Sequence, residues 1–114
     1  MKTLNTVRAE KVEIPYYLRD NFYLKFDVYD QDNVAVDLSG KSLVFSIRET
    51  ENGTAIATAT TADSEITIST STVTISKDFS STLTEKVYYA DLDNATDNYT
   101  IIDGALIASY KGRW

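Results

Sequence analysis

Three groups of residues in this chain have types and spacings that could do chemistry. The first is Ser39-Gly40-Lys41-Ser42, which resembles the end of a phosphate-binding loop. That loop needs a second glycine five positions before Gly40 and a helix directly after it. Ala35 stands at the glycine position, and residues 43–48 alternate in the manner of a strand. The sequence therefore predicts a turn that leads into a strand, and no nucleotide site.

The second group is formed by carboxylates near two predicted turns. Asp30 and Asp32 flank one turn, and Asp91, Asp93 and Asp97 lie close to another. Such pairs can hold calcium or act as the acid and base of a glycosidase. Neither place matches a calcium-binding loop, and aspartates at turns commonly accept hydrogen bonds from the local backbone. We predict no metal site, no catalytic residue and no cofactor, and we expect the protein not to be an enzyme.

The third group is aromatic, since the chain has eight tyrosines. Residues 21–29 alternate so that Tyr23 and Tyr29 lie on the face opposite Phe22 and Phe26. Outward tyrosines are enriched at protein interfaces, and their rings also stack on sugars, so a protein interface and a sugar site both stay open. The predicted interface residues are Val12, Ile14, Tyr16, Tyr17, Tyr23 and Tyr29.

Composition limits the partners of the chain. Its 114 residues suffice for one domain with a single core. The absence of cysteine and histidine excludes disulfides, thiol catalysis and histidine-based triads. A net charge of −6 without a basic cluster argues against nucleic acid and against anionic membranes. We therefore expect no nucleic-acid partner and no membrane partner.

The elements that must position these residues are short strands. Strands are predicted near 10–14, 21–29, 42–49, 87–93 and 99–110, with three more in the Thr-rich segment 54–76, and residues 34–36 are expected to be a short extended piece. Asn52-Gly53 predicts a hairpin, Gly104 a bulge, and residues 76–87 one short helical turn that Ser76 caps, with Phe79 and Leu83 on one face.

This pattern is typical of an all-β, antiparallel, immunoglobulin-like β-sandwich of seven to eight short strands. We expect residues 1–14 to form an N-terminal arm or edge strand. Residues 15–114 are expected to form the single domain. Pro15 would end the first strand or place it at a sheet edge, because proline cannot donate to a strand ladder.

Three motifs carry a resemblance to a known family. They are D-L-S-G at 37–40, Y-Y-A-D-L at 88–92 and T-x-x-x-G-x-L at 100–106. Over residues 20–109 the chain resembles the small immunoglobulin-like domains of tailed-bacteriophage virion structural proteins. It departs from them in residues 84–86, where such domains often carry glycine, and in its first 19 residues.

The resemblance implies a virion protein, made in the host bacterial cytoplasm, that binds other virion proteins such as major capsid or tail subunits. The favoured role is an auxiliary or decoration subunit of the capsid, whose N-terminal arm adds a strand to a neighbouring sheet. A tail or baseplate adaptor, or a fibre-attachment protein, is the alternative within the particle. A carbohydrate or host-surface binding module is the alternative from another class. The sequence leaves the oligomeric state open.

Overall fold

The structure, a computed structural model, describes residues 10–110, and over this range the chain is all-β, as predicted. No helix in this range is long and apolar enough to cross a membrane. The eight strands are β1 Glu10–Tyr17, β2 Phe22–Asp27, β3 Leu43–Arg48, β4 Ala55–Thr60, β5 Ile66–Ser69, β6 Thr72–Lys77, β7 Lys86–Asn94 and β8 Tyr99–Ser109.

The strands form two sheets that enclose one core, as in a β-sandwich. The larger sheet has the order β1-β8-β7-β3-β4 and the smaller sheet the order β2-β6-β5. One pair departs from the predicted antiparallel arrangement, because β1 runs parallel to β8, with Glu10 opposite Ile102 and Ile14 opposite Leu106. The two strands come from opposite ends of the chain, so no local turn signal could reveal this pairing.

Aromatic rings tie the two sheets together in the core. Phe22 of β2 stacks on Phe45 of β3, with ring centroids 5.3 Å apart. Tyr16 of β1 meets Phe22 edge-on at 5.4 Å, and Phe79 lies 5.8 Å from Phe22. All four side chains are buried. Contacts of this kind add to the hydrophobic gain of burial and fix how the sheets lie on each other.

The predicted strands are found with small changes at their ends. The Thr-rich segment supplies β4, β5 and β6, so it is folded and does not act as a linker. In β7 the side chains of Tyr88, Ala90 and Leu92 face the core, as their alternation predicts. In β2 Phe22 is buried, while Tyr23 is exposed.

The predicted helical turn over 76–87 is wrong. No helix forms among residues 10–110, and residues 78–83 make a turn in which the N–H groups of Thr82 and Leu83 both donate to the Phe79 carbonyl, each at 3.0 Å. Ser76 does not cap this turn, because it lies within β6. Asp78 instead accepts a hydrogen bond from the Ser80 N–H, as aspartates at turns commonly do.

The predicted turns are present, with different details. Gly40 has a φ of 77°, a left-handed conformation that glycine adopts readily in a turn. Residues 49–54 join β3 to β4 as the Asn-Gly hairpin predicted, although neither Asn52 nor Gly53 has a positive φ. The bulge predicted at Gly104 lies instead at Ile101, where the register of β7 against β8 shifts.

The N-terminal strand crosses the predicted boundary between arm and domain. Residues 10–14 belong to β1, which continues through Pro15 to Tyr17 and forms one edge of the larger sheet. An edge is where a proline is tolerated, because its missing N–H then faces away from the ladder. Residues 1–9, within the predicted arm, and residues 111–114, at the end of the predicted domain, lie outside the described residues.

Candidate functional site: a groove between two strand edges

A groove of about 620 Å³ lies between β1 and β2, where each strand forms the edge of its sheet. Its volume is in the range of ligand-binding sites in proteins. Four segments line it, three of them within residues 13–33 and the fourth about seventy positions later. They are Glu13–Pro15 of β1, Tyr23–Asp27 of β2 without Lys25, the loop residues Val28–Asn33 without Asp32, and Ile101 and Ile102 of β8.

The floor of the groove is apolar. Leu24 and Phe26 are half-buried against the core, because they lie on the inward face of β2 but at its unpaired edge. Ile14 and Val28 are buried beside them. Apolar side chains at a sheet edge that no third strand covers are a typical feature of surfaces that bind another chain.

Two exposed tyrosines stand at the groove. Tyr23 is 62% exposed and Tyr29 is 51% exposed. Tyr29 begins a small hairpin that pairs it with Ala35, and the Asp30 N–H donates to the Val34 carbonyl at 2.9 Å. The alternation of β2 and this hairpin thus hold both rings outside the core, as the sequence predicts.

The hairpin of Tyr29 is held by its own aspartate. The Asp30 carboxylate accepts hydrogen bonds from the N–H groups of Asp32 and Val34, at 2.8 and 3.0 Å. Asn33 adopts a φ of 62°, which asparagine tolerates better than most residues. This is the local backbone bonding expected of a turn aspartate, and it makes the rim of the groove a defined structure.

Among the described side chains, the charges that line the groove have one sign. Glu13, Asp27 and Asp30 line it, and no lysine or arginine of residues 13–110 does. Asp27 also accepts a hydrogen bond of 2.6 Å from the Thr72 hydroxyl. A groove with three carboxylates and an apolar floor is chemically suited to a segment that is both apolar and basic.

The structure separates the six predicted interface residues. Tyr23 and Tyr29 lie at the groove, and Ile14 lines it from within the core. Tyr17 is half-buried at the end of β1, and the side chain of Val12 is not among the described parts of the structure.

Tyr16 is buried, so its side chain serves the core and cannot contact a partner. Its hydroxyl accepts a hydrogen bond of 3.1 Å from the Phe79 N–H. Burial raises the pKa of the Tyr16 hydroxyl above its ordinary value. Tyr16 therefore links β1 to the segment that crosses between β6 and β7.

The second aspartate group is spread over the larger sheet and the turn after it. Asp97 forms an ion pair with Lys41 at 3.1 Å, and Asp93 accepts a hydrogen bond from Thr100 at 2.8 Å. Asp91 pairs with Arg48 of β3. Within residues 10–110 no group of three or more acidic residues is arranged to hold a metal ion.

Several groove residues were not predicted from the sequence. Phe26 was expected only on the face opposite Tyr23 and Tyr29, and Ile101 and Ile102 only within the last strand. β1 and β2 follow each other in the chain but belong to different sheets, and the groove also needs Ile101 and Ile102 of β8 beside them, which is a non-local arrangement. The one local signal was Pro15, which indicates an edge strand.

Comparison of the chain with protein-family models, with curated proteins and with solved structures finds no match in any of the three.

Proposed function

We propose that this chain is a non-enzymatic structural protein of a tailed-phage particle that docks on neighbouring subunits through the groove between β1 and β2. The favoured form is an auxiliary or decoration subunit of the capsid, and an adaptor in the tail or baseplate is the alternative. The single observation that carries the docking role is the uncovered apolar floor between two strand edges, flanked by Tyr23 and Tyr29. The phage assignment rests on the resemblance of the three sequence motifs.

The order of strands supports an immunoglobulin-like topology. In that fold one sheet contains strands B, E and D, and the other contains G, F and C, with C′ added in variable-type domains. Here β2-β6-β5 and β8-β7-β3-β4 have the corresponding orders. The connections also agree, since β3–β4, β5–β6 and β7–β8 are antiparallel neighbours, while the intervening links pass between sheets.

A tyrosine at the start of β7 gives further support to this topology. The Tyr88 hydroxyl accepts a hydrogen bond of 2.9 Å from the Thr84 N–H and donates one of 3.3 Å to the Thr84 carbonyl. Tyr88 itself is buried. Immunoglobulin-like domains carry such a tyrosine near the start of strand F, bonded to backbone a few residues upstream. The position of β7 is that of strand F.

The virion role is tested by quantitative mass spectrometry of purified particles of the phage whose genome carries this gene. A ratio to the major capsid protein near unity, or a simple fraction of it, is expected of a decoration subunit. A ratio near that of the tail-hub proteins would instead indicate a tail adaptor. Absence from the particle would contradict the proposal.

A second candidate function is binding of carbohydrate, because the groove joins aromatic rings to hydrogen-bonding groups. Tyr23 and Tyr29 offer rings, while Asp27 and Asn33 offer polar side chains in the same groove. Binding on a glycan array that is lost in Tyr23→Ala and in Tyr29→Ala would favour this function. An unchanged array profile in both variants would exclude the groove as a sugar site.

A further inference from the structure

The groove offers a free strand edge on the smaller sheet. β2 pairs with β6 on one side only, and β1 pairs with β8 on one side only, among the described residues. Pro15 interrupts the ladder that β1 could offer, since proline has no N–H. β2 has no proline over its six residues, so its edge is the better template for an added strand.

The nine residues before Glu10 have the chemistry that this groove would accept. Their sequence, MKTLNTVRA, contains Lys2 and Arg8 as its only charged side chains, and Leu4 and Val7 as apolar ones. The groove has an apolar floor, and its described charged side chains are the carboxylates of Glu13, Asp27 and Asp30. The signs are opposite, and both contacts are available in one chain.

The length of this segment is also sufficient. Nine extended residues span up to ~30 Å. The six residues of β2 span about 20 Å at the rise of a strand. A segment of this length can pair along all of β2 and still reach the rim at Tyr29.

The strand directions favour a second molecule as the donor. The Ala95 N–H donates to the Ser42 carbonyl, so the start of β8 lies at the end of the molecule where β3 begins. The link that leaves β2 at Val28 runs to this same end of the molecule. β1 also begins there, since Glu10 pairs with Ile102 near the start of β8. β1 and β2 therefore run in opposite directions. A segment attached at Glu10 would have to reverse, without glycine or proline, to pair along β2 of its own molecule.

We infer that the groove between β1 and β2 is an acceptor site for residues 1–9 of a second copy of this chain, which add a strand to the free edge of β2. The inference rests on the proposed docking role of the groove and names its partner. Such a contact is heterologous, because the donor segment and the acceptor groove are different surfaces of one chain. It can close into a ring or continue along a row of subunits.

The test exchanges the charges of the full-length chain. The donor variant carries Lys2→Glu and Arg8→Glu, and the acceptor variant carries Glu13→Lys and Asp27→Lys. Glu51→Lys with Asp63→Lys is the control for the acceptor variant, because it makes the same change in net charge on exposed turns that do not line the groove. Sedimentation velocity over micromolar to submillimolar concentrations measures self-association, and urea unfolding establishes that each variant is folded.

Wild-type protein and the control are expected to associate with the same constant. Association of either charge variant alone should fall about tenfold or more, since two ion pairs become two like-charge contacts. An equimolar mixture of the donor and acceptor variants should associate again, because each then presents the opposite charge to the other. Restoration also excludes misfolding as the cause, since the unaltered segment of the acceptor variant must then bind the unaltered groove of the donor variant.

Three results would overturn the inference: wild-type protein that stays monomeric throughout, a donor variant that associates like wild type, or a mixture that fails to restore association. These results are separable from failure of the virion role. Monomeric protein that is present in purified particles would overturn this inference alone. Self-association through the groove together with absence from particles would support the contact and overturn the virion role.

Discussion

At the scale of single residues, Asp91 is the one charged side chain that is buried among the described residues. It lies on β7 and is only 8% exposed, although its alternation in the sequence predicts an outward position. Arg48 from β3 pairs with one of its carboxylate oxygens, while the other oxygen, Oδ1, and the Arg48 Nε have no hydrogen-bond partner. Incomplete hydrogen bonding of a buried pair makes the pair a weak source of stability.

The direction in which stability changes with pH should follow from the effect of burial on the pKa of Asp91. Burial raises the pKa of Asp91 in the folded chain, with a smaller opposing contribution from the Arg48 hydrogen bond. The folded chain then binds this proton at a higher pH than the unfolded chain does. As the pH falls from 7 through the folded pKa towards 4, Asp91 should therefore add to the free energy of unfolding. Compared with Asp91→Asn in urea titrations, wild-type protein should gain relative stability over that range.

Asp37 provides the opposite case within the same fold. Hydrogen bonds from Ser39, from its hydroxyl and then its N–H, lower the pKa of Asp37. The stability that Asp37 contributes is present above its unfolded pKa and is lost as the pH falls through its folded pKa. Wild-type protein should thus lose stability relative to Asp37→Asn on acidification. The same sign for both variants would show that burial does not control Asp91.

Tyr16 permits a direct test of a buried hydroxyl. Tyr16→Phe removes the acceptor of the Phe79 N–H and leaves that donor buried without a partner. We expect the free energy of unfolding to fall by about 1–3 kcal/mol. Tyr23→Phe, which alters an exposed hydroxyl, should stay within about 0.5 kcal/mol of wild type. Equal effects of the two variants in urea unfolding would contradict the core role of Tyr16.

At the scale of elements, the sequence predicts strands well and their partners poorly. Alternation within residues 21–29 and 87–93 identifies β2 and β7 and the faces they bury, because a half-buried strand needs a period of two. The parallel pairing of β1 with β8 has no such signal, since it joins residues about ninety positions apart. The helical turn was mispredicted because Phe79 and Leu83 are both buried by a simple turn, which places them as a helix would.

The turn that leads into β7 should depend on the Tyr88 hydroxyl for its stability. Tyr88→Phe removes both hydrogen bonds to the Thr84 backbone, and we expect a loss of about 1 kcal/mol in the free energy of unfolding. Amide exchange should be faster at Thr84, because its N–H loses its acceptor. Tyr89→Phe is the matched control, since this neighbouring tyrosine points out of the sheet and is 45% exposed. Unchanged exchange at Thr84 would mean that the hydroxyl does not hold the turn.

At the scale of the whole molecule, the groove forms because the edge strands of the two sheets, β1 and β2, lie next to each other. Pattern alone places Tyr23 and Tyr29 outside the core, but it cannot show that they share a surface with Glu13 and Ile101. That proximity depends on the gap between the edge strands of two different sheets. An interface built from such a gap can change its affinity through exposed side chains with little effect on the core that supports it.

Substitutions of exposed residues at the groove should therefore weaken binding and leave stability unchanged. Tyr23→Ser with Tyr29→Ser should leave the free energy of unfolding within about 1 kcal/mol of wild type, since both side chains are largely exposed. Recovery of the tagged chain with purified particles should fall severalfold, because aromatic side chains at the centre of an interface carry much of its binding energy. Val87→Ser with Tyr89→Ser is the matched control, since both residues are exposed on β7 and neither lines the groove. If the control reduces recovery and the groove variant does not, the docking surface is the outer face of the larger sheet, and the groove has another use.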